Sequence, residues 1–127
     1  MSLEFSPDPR CLEQACACLG DFLGARGLSA ERFPLCLLLR EAASNAVRHG
    51  CKGQGTLKLG LDLRENKAVL TLEHDGPGWD WRSKEPTLAE PGETTGRGLF
   101  IMKSYSDSIT YNDRGNRVCI TRSLPAR

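Results

Sequence analysis

Apolar residues recur along the chain with two different periods, which divide it into helices and strands. From residue 9 to about residue 26 they fall three or four positions apart, with Asp8 placed to cap a helix and Gly27 placed to end it. The same helical period returns over residues 29–49 and stops at Gly50. The pattern therefore predicts two amphipathic helices in the first part of the chain.

Alternation of apolar and polar residues marks the strands. Residues 57–64 alternate leucine with mostly polar side chains, residues 65–67 are typical of a hairpin turn, and residues 69–73 form the return strand. Residues 2–5 alternate more weakly and predict a short edge strand. A two-stranded antiparallel unit is thus expected directly after the second helix.

The last part of the chain adds a short helix and a closing hairpin. The helix is predicted from about Gly98 to Ser104, and the hairpin pairs residues 108–112 with residues 117–122. Together the elements predict one α+β domain over residues 1–127, a two-layer α/β sandwich. Its sheet is expected to be mixed and mostly antiparallel, with about five strands and three helices on one face.

A long glycine- and proline-rich stretch, HDGPGWDWRSKEPTLAEPGETTGRG, interrupts this regular pattern. Stretches of this length without apolar period are uncommon in compact domains and tend to be lids or binding loops. We therefore expect residues 76–95 to form a lid over a site.

The charges are nearly balanced, which argues against partners recruited by charge. Lysine and arginine number 17 against 16 acidic residues, for a net charge of +1. Such a chain has no long-range field to attract nucleic acid or an anionic membrane. It also contains no apolar run of membrane-spanning length and no signal-peptide pattern at residues 1–10, so we expect a cytoplasmic protein.

The six cysteines lack the spacing of a disulfide framework or a CxxC metal site. Most are expected to be small buried apolar residues. Cys11, Cys16 and Cys18 fall on one predicted helix, and a single helix cannot place three thiolates around a tetrahedral metal. A redox or metal role for these three is the less favoured interpretation.

Three polar features carry the candidate chemistry. Glu41, Asn45 and His49 repeat every four residues and would share one face of the second helix, whose other positions are apolar. The turn HDGPGWD ends a strand, and the glycines of GRGL open a helix, where backbone N–H groups favour phosphate. An amide oxygen suits Mg²⁺, and a carboxylate one turn earlier suits a base in phosphoryl transfer.

Each feature alone has an ordinary structural explanation. A single GxG or DGPG motif is most often a turn, and Glu41 alone would be a solvated or ion-paired helix residue. Asn45 could bond a neighbouring loop, His49 could interact with the helix dipole, and Arg97 could be a surface residue. The order and spacing of all three features favour a nucleotide site.

These segments also resemble the nucleotide-binding boxes of the GHKL (Bergerat) ATPase superfamily. EAASNAVRHG is similar to its N box, HDGPGWD to its G1 box, and GRGLFIMKSYSD to its G2 box. The closest resemblance is to the small bacterial anti-sigma factors with serine/threonine kinase activity, over nearly the whole chain. It implies an ATP-binding α/β sandwich whose partners are a sigma factor and an anti-sigma-factor antagonist, the substrate. It also suggests a homodimer.

The resemblance assigns roles to particular residues. Asn45 would bind Mg²⁺ and ATP, Glu41 would be the catalytic base, and His49 would lie near the phosphates. The other ATP-binding residues that it implies belong to the two glycine boxes: His74, Asp75, Gly76, Gly78, Thr95, Gly96, Arg97, Gly98 and Leu99.

One position departs from the family pattern. The G1 box of the family is Asp-x-Gly-x-Gly, and alignment on Gly76 and Gly78 places His74 where the adenine-reading aspartate would stand. The alternation of side chains along the strand supports this alignment. His74 falls on the same face of the sheet as the preceding leucines, and Asp75 falls on the opposite face. A neutral imidazole can accept one hydrogen bond but not a charge-assisted one, unless a bulge turns Asp75 inward.

Three functions follow from these observations. The leading hypothesis is an ATP-dependent serine/threonine kinase that acts on a protein partner, which Glu41, Asn45 and the glycine box favour. The alternative is a partner-binding regulator with weakened ATP binding, which His74 favours. A histidine-kinase catalytic domain is weaker, because it would need a phosphoacceptor from another chain.

Overall fold

Helices cover one face of a five-stranded sheet in this protein. The computed structural model describes residues 1–51, 55–75 and 100–125; for residues 49–51 it describes the backbone only. The strands are β1 (Ser2–Phe5), β2 (Leu57–Arg64), β3 (Lys67–His74), β4 (Ser108–Tyr111) and β5 (Arg117–Ser123). Their order in the sheet is β1-β2-β3-β5-β4. The predicted α+β fold with a five-stranded sheet is confirmed.

All four strand pairings that the described residues make are antiparallel. The sheet was expected to be mixed, and that detail is wrong for this part of the chain. The reason is topological: β5 inserts between β3 and β4 by pairing with both in the antiparallel sense, so no parallel crossover is needed.

The helices follow the predicted periods, with altered ends. The first helix, α1, spans Pro9–Gly24; a 3₁₀ turn covers Ser29–Glu31 and leads into α2, Arg32–Asn45. Residues 100–104 form a third helix, α3. None of the helices in the described ranges is both long and apolar enough to cross a bilayer.

The ends of α1 follow from its flanking residues. Asp8 has extended backbone geometry, and its carboxylate accepts a hydrogen bond from the backbone N–H of Cys11 at 2.9 Å. This bond lowers the pKa of Asp8, because it stabilises the ionised carboxylate. At the other end, Gly27 has a φ of 72°, a left-handed conformation that suits glycine. The predicted cap and stop are both confirmed.

The second helix changes its winding before it reaches His49. Its α-helical part ends at Asn45, and Ala46–Cys51 continue as a π-helix. The apolar side of α2 is buried as predicted, with Leu35, Leu38 and Leu39 fully enclosed. Because a π turn is wider than an α turn, the four-residue spacing keeps Glu41 and Asn45 in line but no longer guarantees this for His49.

The core lies between the helices and one face of the sheet. In β2 and β3 the inward residues pair directly, with Leu59 opposite Leu72 and Leu61 opposite Leu70. These four side chains are at most 3% exposed, whereas Lys58, which precedes Leu59 on the other face of β2, is exposed. Burial of several leucines at about 1.5 to 3 kcal/mol each is what fixes this register, since a slip by one residue would expose them all.

The open face of the sheet is polar and carries a row of alternating charges. Glu4 pairs with Lys58, Lys58 with Glu73, and Glu73 with Arg117 across four neighbouring strands. Opposite charges at directly paired positions stabilise a strand register by roughly 0.2 to 1 kcal/mol each. The two faces of the sheet therefore specify the same pairing, one through burial and the other through charge.

A buried ion pair connects the start of α2 to the sheet and to α3. The Nε of Arg122, on β5, donates to the Oε1 of Glu31 at 2.8 Å, and another guanidinium nitrogen donates to the carbonyl of Tyr105 at 2.8 Å. The Glu31 side chain is only 8% exposed. The exposed ring of Phe33 meets the Tyr105 ring edge-on beside this pair. One arginine thus fixes α2 against the end of α3.

Candidate functional site

Glu41 and Asn45 lie one turn apart near the end of α2, at the edge of the core. The α-helical spacing places both on one side of the helix, as predicted. Asn45 is 4% exposed, while Glu41 is half-buried. The helix therefore presents a fixed, buried amide beside a more accessible carboxylate.

The Asn45 side chain is held between α3 and β4. Its amide nitrogen donates to the Sδ of Met102 at 3.5 Å. Burial raises the pKa of the nearby Tyr111 hydroxyl to about 12, and the Asn45 amide partly offsets this rise. The contact with Met102 uses an amide N–H group and helps to orient the side chain.

Glu41 has the electrostatic character of a base that is partly removed from water. Burial raises the pKa of its carboxyl, and the positive charge of Arg48, two turns further along the chain, acts in the opposite direction. A carboxylate with a raised pKa binds a proton more strongly than an ordinary surface carboxylate does. Arg48 keeps positive charge close to Glu41.

His74 ends β3 on the buried face of the sheet. Its side chain is 3% exposed, and its strand position pairs with Leu57. Its backbone N–H donates to the carbonyl of Asn116 at 2.9 Å, and its carbonyl accepts from the Asn116 amide at 3.1 Å. Burial lowers the pKa of His74, which favours the neutral imidazole. The predicted inward orientation of His74 is confirmed.

His74 and Asn45 line one small cavity together with Tyr111. The cavity has a volume of about 10 Å³, and the turn between β4 and β5 closes it with Gly115 and Asn116. A cavity of roughly 10 to 15 Å³ holds one water molecule. The space between the imidazole and the amide is therefore about the size of one water molecule.

Asp75 lies outside this cavity. It is exposed, as strand parity predicts, and its side chain faces Gly55: a Cβ added to Gly55 would lie 3.9 Å from its Oδ2. Gly55 itself has a φ of 80°, which a residue with a side chain rarely adopts. No bulge turns Asp75 inward, so the structure gives the inward position to His74.

The remaining predicted site residues fall outside the described ranges. These are the lid at residues 76–95 and the phosphate-binding positions Gly76, Gly78, Thr95, Gly96, Arg97, Gly98 and Leu99. The backbone of His49 belongs to the π-helix, and its side chain is not described. Their assigned roles stay predictions.

The residues at the end of α2 fit a hard cation in their chemistry. Mg²⁺ takes one or two protein oxygens and keeps several waters, so an oriented amide oxygen such as Asn45 Oδ1 is a suitable ligand. Glu41 offers a second oxygen donor one turn away. Within the described residues there is no group of three or more histidine, cysteine, aspartate or glutamate side chains placed to bind a metal by themselves.

Sequence reasoning missed the side chains that organise this site. Met102, Tyr111 and Asn116 were not singled out as site residues. Their role depends on α3 and the β4–β5 hairpin meeting the end of α2, which no local pattern encodes.

Comparisons with known proteins place this geometry in a family. Residues 5–122 match the model of the histidine kinase-like ATPase domain. A solved structure, Acinetobacter baumannii histidine kinase AdeS, is 18% identical in sequence to this chain and superposes with a TM-score of 0.49. The alignment covers 99% of this chain and 68% of the AdeS chain. The argininosuccinate synthase of Prochlorococcus marinus (strain MIT 9301) is 32% identical over 94 residues, 74% of this chain. The match spans 23% of that relative's length. From the family match over nearly its whole length, the chain belongs to the histidine kinase-like ATPase domain family.

Proposed function

We propose that this protein is an ATP-binding regulator with serine/threonine kinase activity on an anti-sigma-factor antagonist. Members of its family bind ATP, usually with Mg²⁺. The observation that carries the proposal is the pairing of a pinned amide, Asn45, with a half-buried carboxylate, Glu41, one helical turn apart. The resemblance of the boxes to anti-sigma-factor kinases supplies the class of substrate.

Each residue has a separate task in this proposal. Asn45 would hold Mg²⁺ through Oδ1, while the hydrogen bond to Met102 helps to orient the amide. Glu41 would accept the proton of the attacking serine or threonine hydroxyl, helped by the pKa that burial raises. Bound ATP would supply the phosphoryl group, whose transfer depends chiefly on positioning and charge neutralisation.

A specific observation supports a second candidate, a partner-binding regulator that uses ATP weakly. His74 lines the inner cavity as a neutral imidazole, where the family has a carboxylate, and that cavity has a volume of only about 10 Å³. Without the carboxylate, the site lacks a charge-assisted bond to the adenine amino group. In this second proposal the protein controls its partner by binding alone.

Calorimetry with ATP and Mg²⁺ separates the two candidates. The kinase proposal predicts measurable binding, and the absence of heat at millimolar nucleotide, with no thermal shift, would overturn it. A suitable control is Glu4→Ala, because Glu4 is exposed on the open face of the sheet and should leave nucleotide binding unchanged.

Transfer is tested with γ-labelled ATP and an antagonist protein that co-purifies with this chain. The label should appear on serine or threonine, where the phosphate survives acid, rather than on acid-labile histidine. Glu41→Ala should abolish transfer and leave ATP binding largely intact, whereas Glu4→Ala should retain both. Equal transfer by Glu41→Ala would show that Glu41 is not the base. Size-exclusion chromatography with light scattering tests the proposed homodimer.

A further inference from the structure

The α1–α2 interface contains a pair of thiols enclosed by charged residues. The helices run antiparallel, so that Gly20, Cys16 and Glu13 on α1 meet Arg32, Cys36 and Arg40 on α2 in that order. A Cβ added to Gly20 would lie 2.7 Å from the Arg32 Nε, and Arg40 forms an ion pair with Glu13. The contact between Cys16 and Cys36 lies between the other two contacts along the interface.

Cys16 and Cys36 are close enough to exchange hydrogen bonds. The neutral Cys36 thiol donates to the carbonyl of Cys16, with Sγ 3.6 Å from the oxygen. The Cys16 thiol also stabilises the ionised form of Cys36, because its side chain lowers the pKa of Cys36. Both are free thiols, Cys16 at 4% and Cys36 at 9% exposure. Of the two residues, Cys36 is the more exposed.

The surroundings of the pair favour one thiolate. The interaction with the Cys16 side chain lowers the pKa of Cys36 to about 7; Arg32 and Arg40 add to this effect, while burial and, more weakly, Glu13 oppose it. The same contact and burial raise the pKa of Cys16. At neutral pH about half of a thiol with that pKa is ionised, against roughly 3% of an ordinary cysteine with a pKa near 8.5. The two sulfurs are therefore unequal, one a nucleophile and the other a thiol.

We propose that Cys16 and Cys36 form an oxidisable pair, which a peroxide converts into a disulfide linking α1 to α2. The Cys36 thiolate attacks a peroxide oxygen, so that an S–O bond forms as the O–O bond breaks, giving sulfenic acid and hydroxide for hydrogen peroxide. The Cys16 sulfur then attacks the Cys36 sulfur; the S–S bond forms, the S–O bond breaks, and water leaves with the Cys16 proton. The thiols lose two electrons and the peroxide gains them.

The other described cysteines have different surroundings. The thiol of Cys11 hydrogen-bonds Asp8, which raises its pKa, Cys18 is exposed, and Cys119 lies on β5. In an unfolded chain, Cys16 would meet Cys11 and Cys18 more often than Cys36, because short loops close at lower entropic cost. A link between Cys16 and Cys36 is therefore a property of the fold and not of the sequence spacing.

The experiment treats the full chain with hydrogen peroxide and maps its peptides by mass spectrometry. The expected product has lost two hydrogen atoms, contains linked Cys16 and Cys36, and returns to the original mass with a thiol reductant. In urea, links among Cys11, Cys16 and Cys18 should replace it. A native map dominated by those short-range links would overturn the proposal.

Variants separate the two steps. Cys16→Ser should stop at the sulfenic acid on Cys36, which dimedone traps, and Cys18→Ser, the matched control, should form the disulfide like the parent chain. Circular dichroism establishes that each variant is folded. A folded Cys16→Ser chain in which Cys36 stays unmodified would also overturn the proposal. These measurements require neither ATP nor a partner, so their outcome is independent of the kinase proposal.

Discussion

Replacing Glu31 by alanine should destabilise the fold far more than its position in a 3₁₀ turn suggests. The side chain is 8% exposed and accepts from the Arg122 Nε at 2.8 Å. Removing one member of a fully buried ion pair costs roughly 3 to 5 kcal/mol, because the other charge stays buried without its partner. Arg122 is 25% exposed and keeps its bond to the Tyr105 carbonyl, so we expect about 2 to 3 kcal/mol here.

Urea denaturation followed by far-UV circular dichroism at pH 7 measures this loss. With a slope of about 1 to 3 kcal/mol per molar urea, the midpoint should fall by about 0.7 to 3 M at constant slope. Glu31→Gln retains an oxygen that accepts from Arg122 and should lose only about 1 kcal/mol. Glu13→Ala, which removes the exposed partner of Arg40, should hardly move the midpoint.

A midpoint for Glu31→Ala that equals that of Glu13→Ala would refute this reasoning. A complementary variant replaces both partners, Glu31→Leu with Arg122→Met. Because apolar residues of similar volume often substitute for a buried pair at little cost, the double variant should be more stable than Glu31→Ala alone. A double variant as unstable as the sum of the two single variants would show that packing, and not the ion pair, is decisive.

Three further changes test the site and the core. His74→Asp should tighten ATP by about three- to tenfold in calorimetry, since a charge-assisted bond exceeds a neutral one by about 1 kcal/mol; unchanged or weaker affinity would point to Asp75 as the adenine-reading residue. Because burial lowers the pKa of His74, the unfolded chain binds its proton first as the pH falls, so stability should decline below about pH 6.5. His74→Gln should flatten that decline in urea titrations at pH 7.5 and 5.5, and an identical pH profile would contradict a buried neutral His74. Tyr111→Phe removes the buried hydroxyl near Asn45 and should cost about 1 kcal/mol in thermal unfolding, and an unshifted midpoint would mean that this hydroxyl contributes nothing to stability.

The sheet could be predicted from alternation because its two faces have different environments. Leucines of β2 and β3 are buried on one side and charged residues are exposed on the other, so period and parity were both readable. The same parity placed His74 inward. The boundary of β3 was less accurate: the turn needs only Glu65 and Asn66, since Glu65 adopts a φ of 51°, and the strand therefore begins at Lys67.

What the sequence could not provide depends on contacts between distant residues. The sequence of the π-helix after Asn45, AVRHGC, does not predict π winding, because its composition is ordinary for the end of a helix. The sequence around Glu31 indicates only the start of a helix, because its partner Arg122 lies 91 residues away. The contact between Asn45 and Met102 spans 57 residues. Local patterns predict elements, but these contacts exist only once the elements pack together.

The position of β5 has a consequence for the order in which the chain is synthesised. β3 can pair with β2 as soon as this hairpin leaves the ribosome. Its other edge stays unpaired until β5 is synthesised, and β5 begins roughly forty residues later. At about 5 to 20 residues per second, that edge is exposed for about two to eight seconds in every round of translation. An open edge beside a leucine-rich hairpin invites pairing with another nascent chain. Expression at lower ribosome density should therefore raise the yield of correctly folded protein.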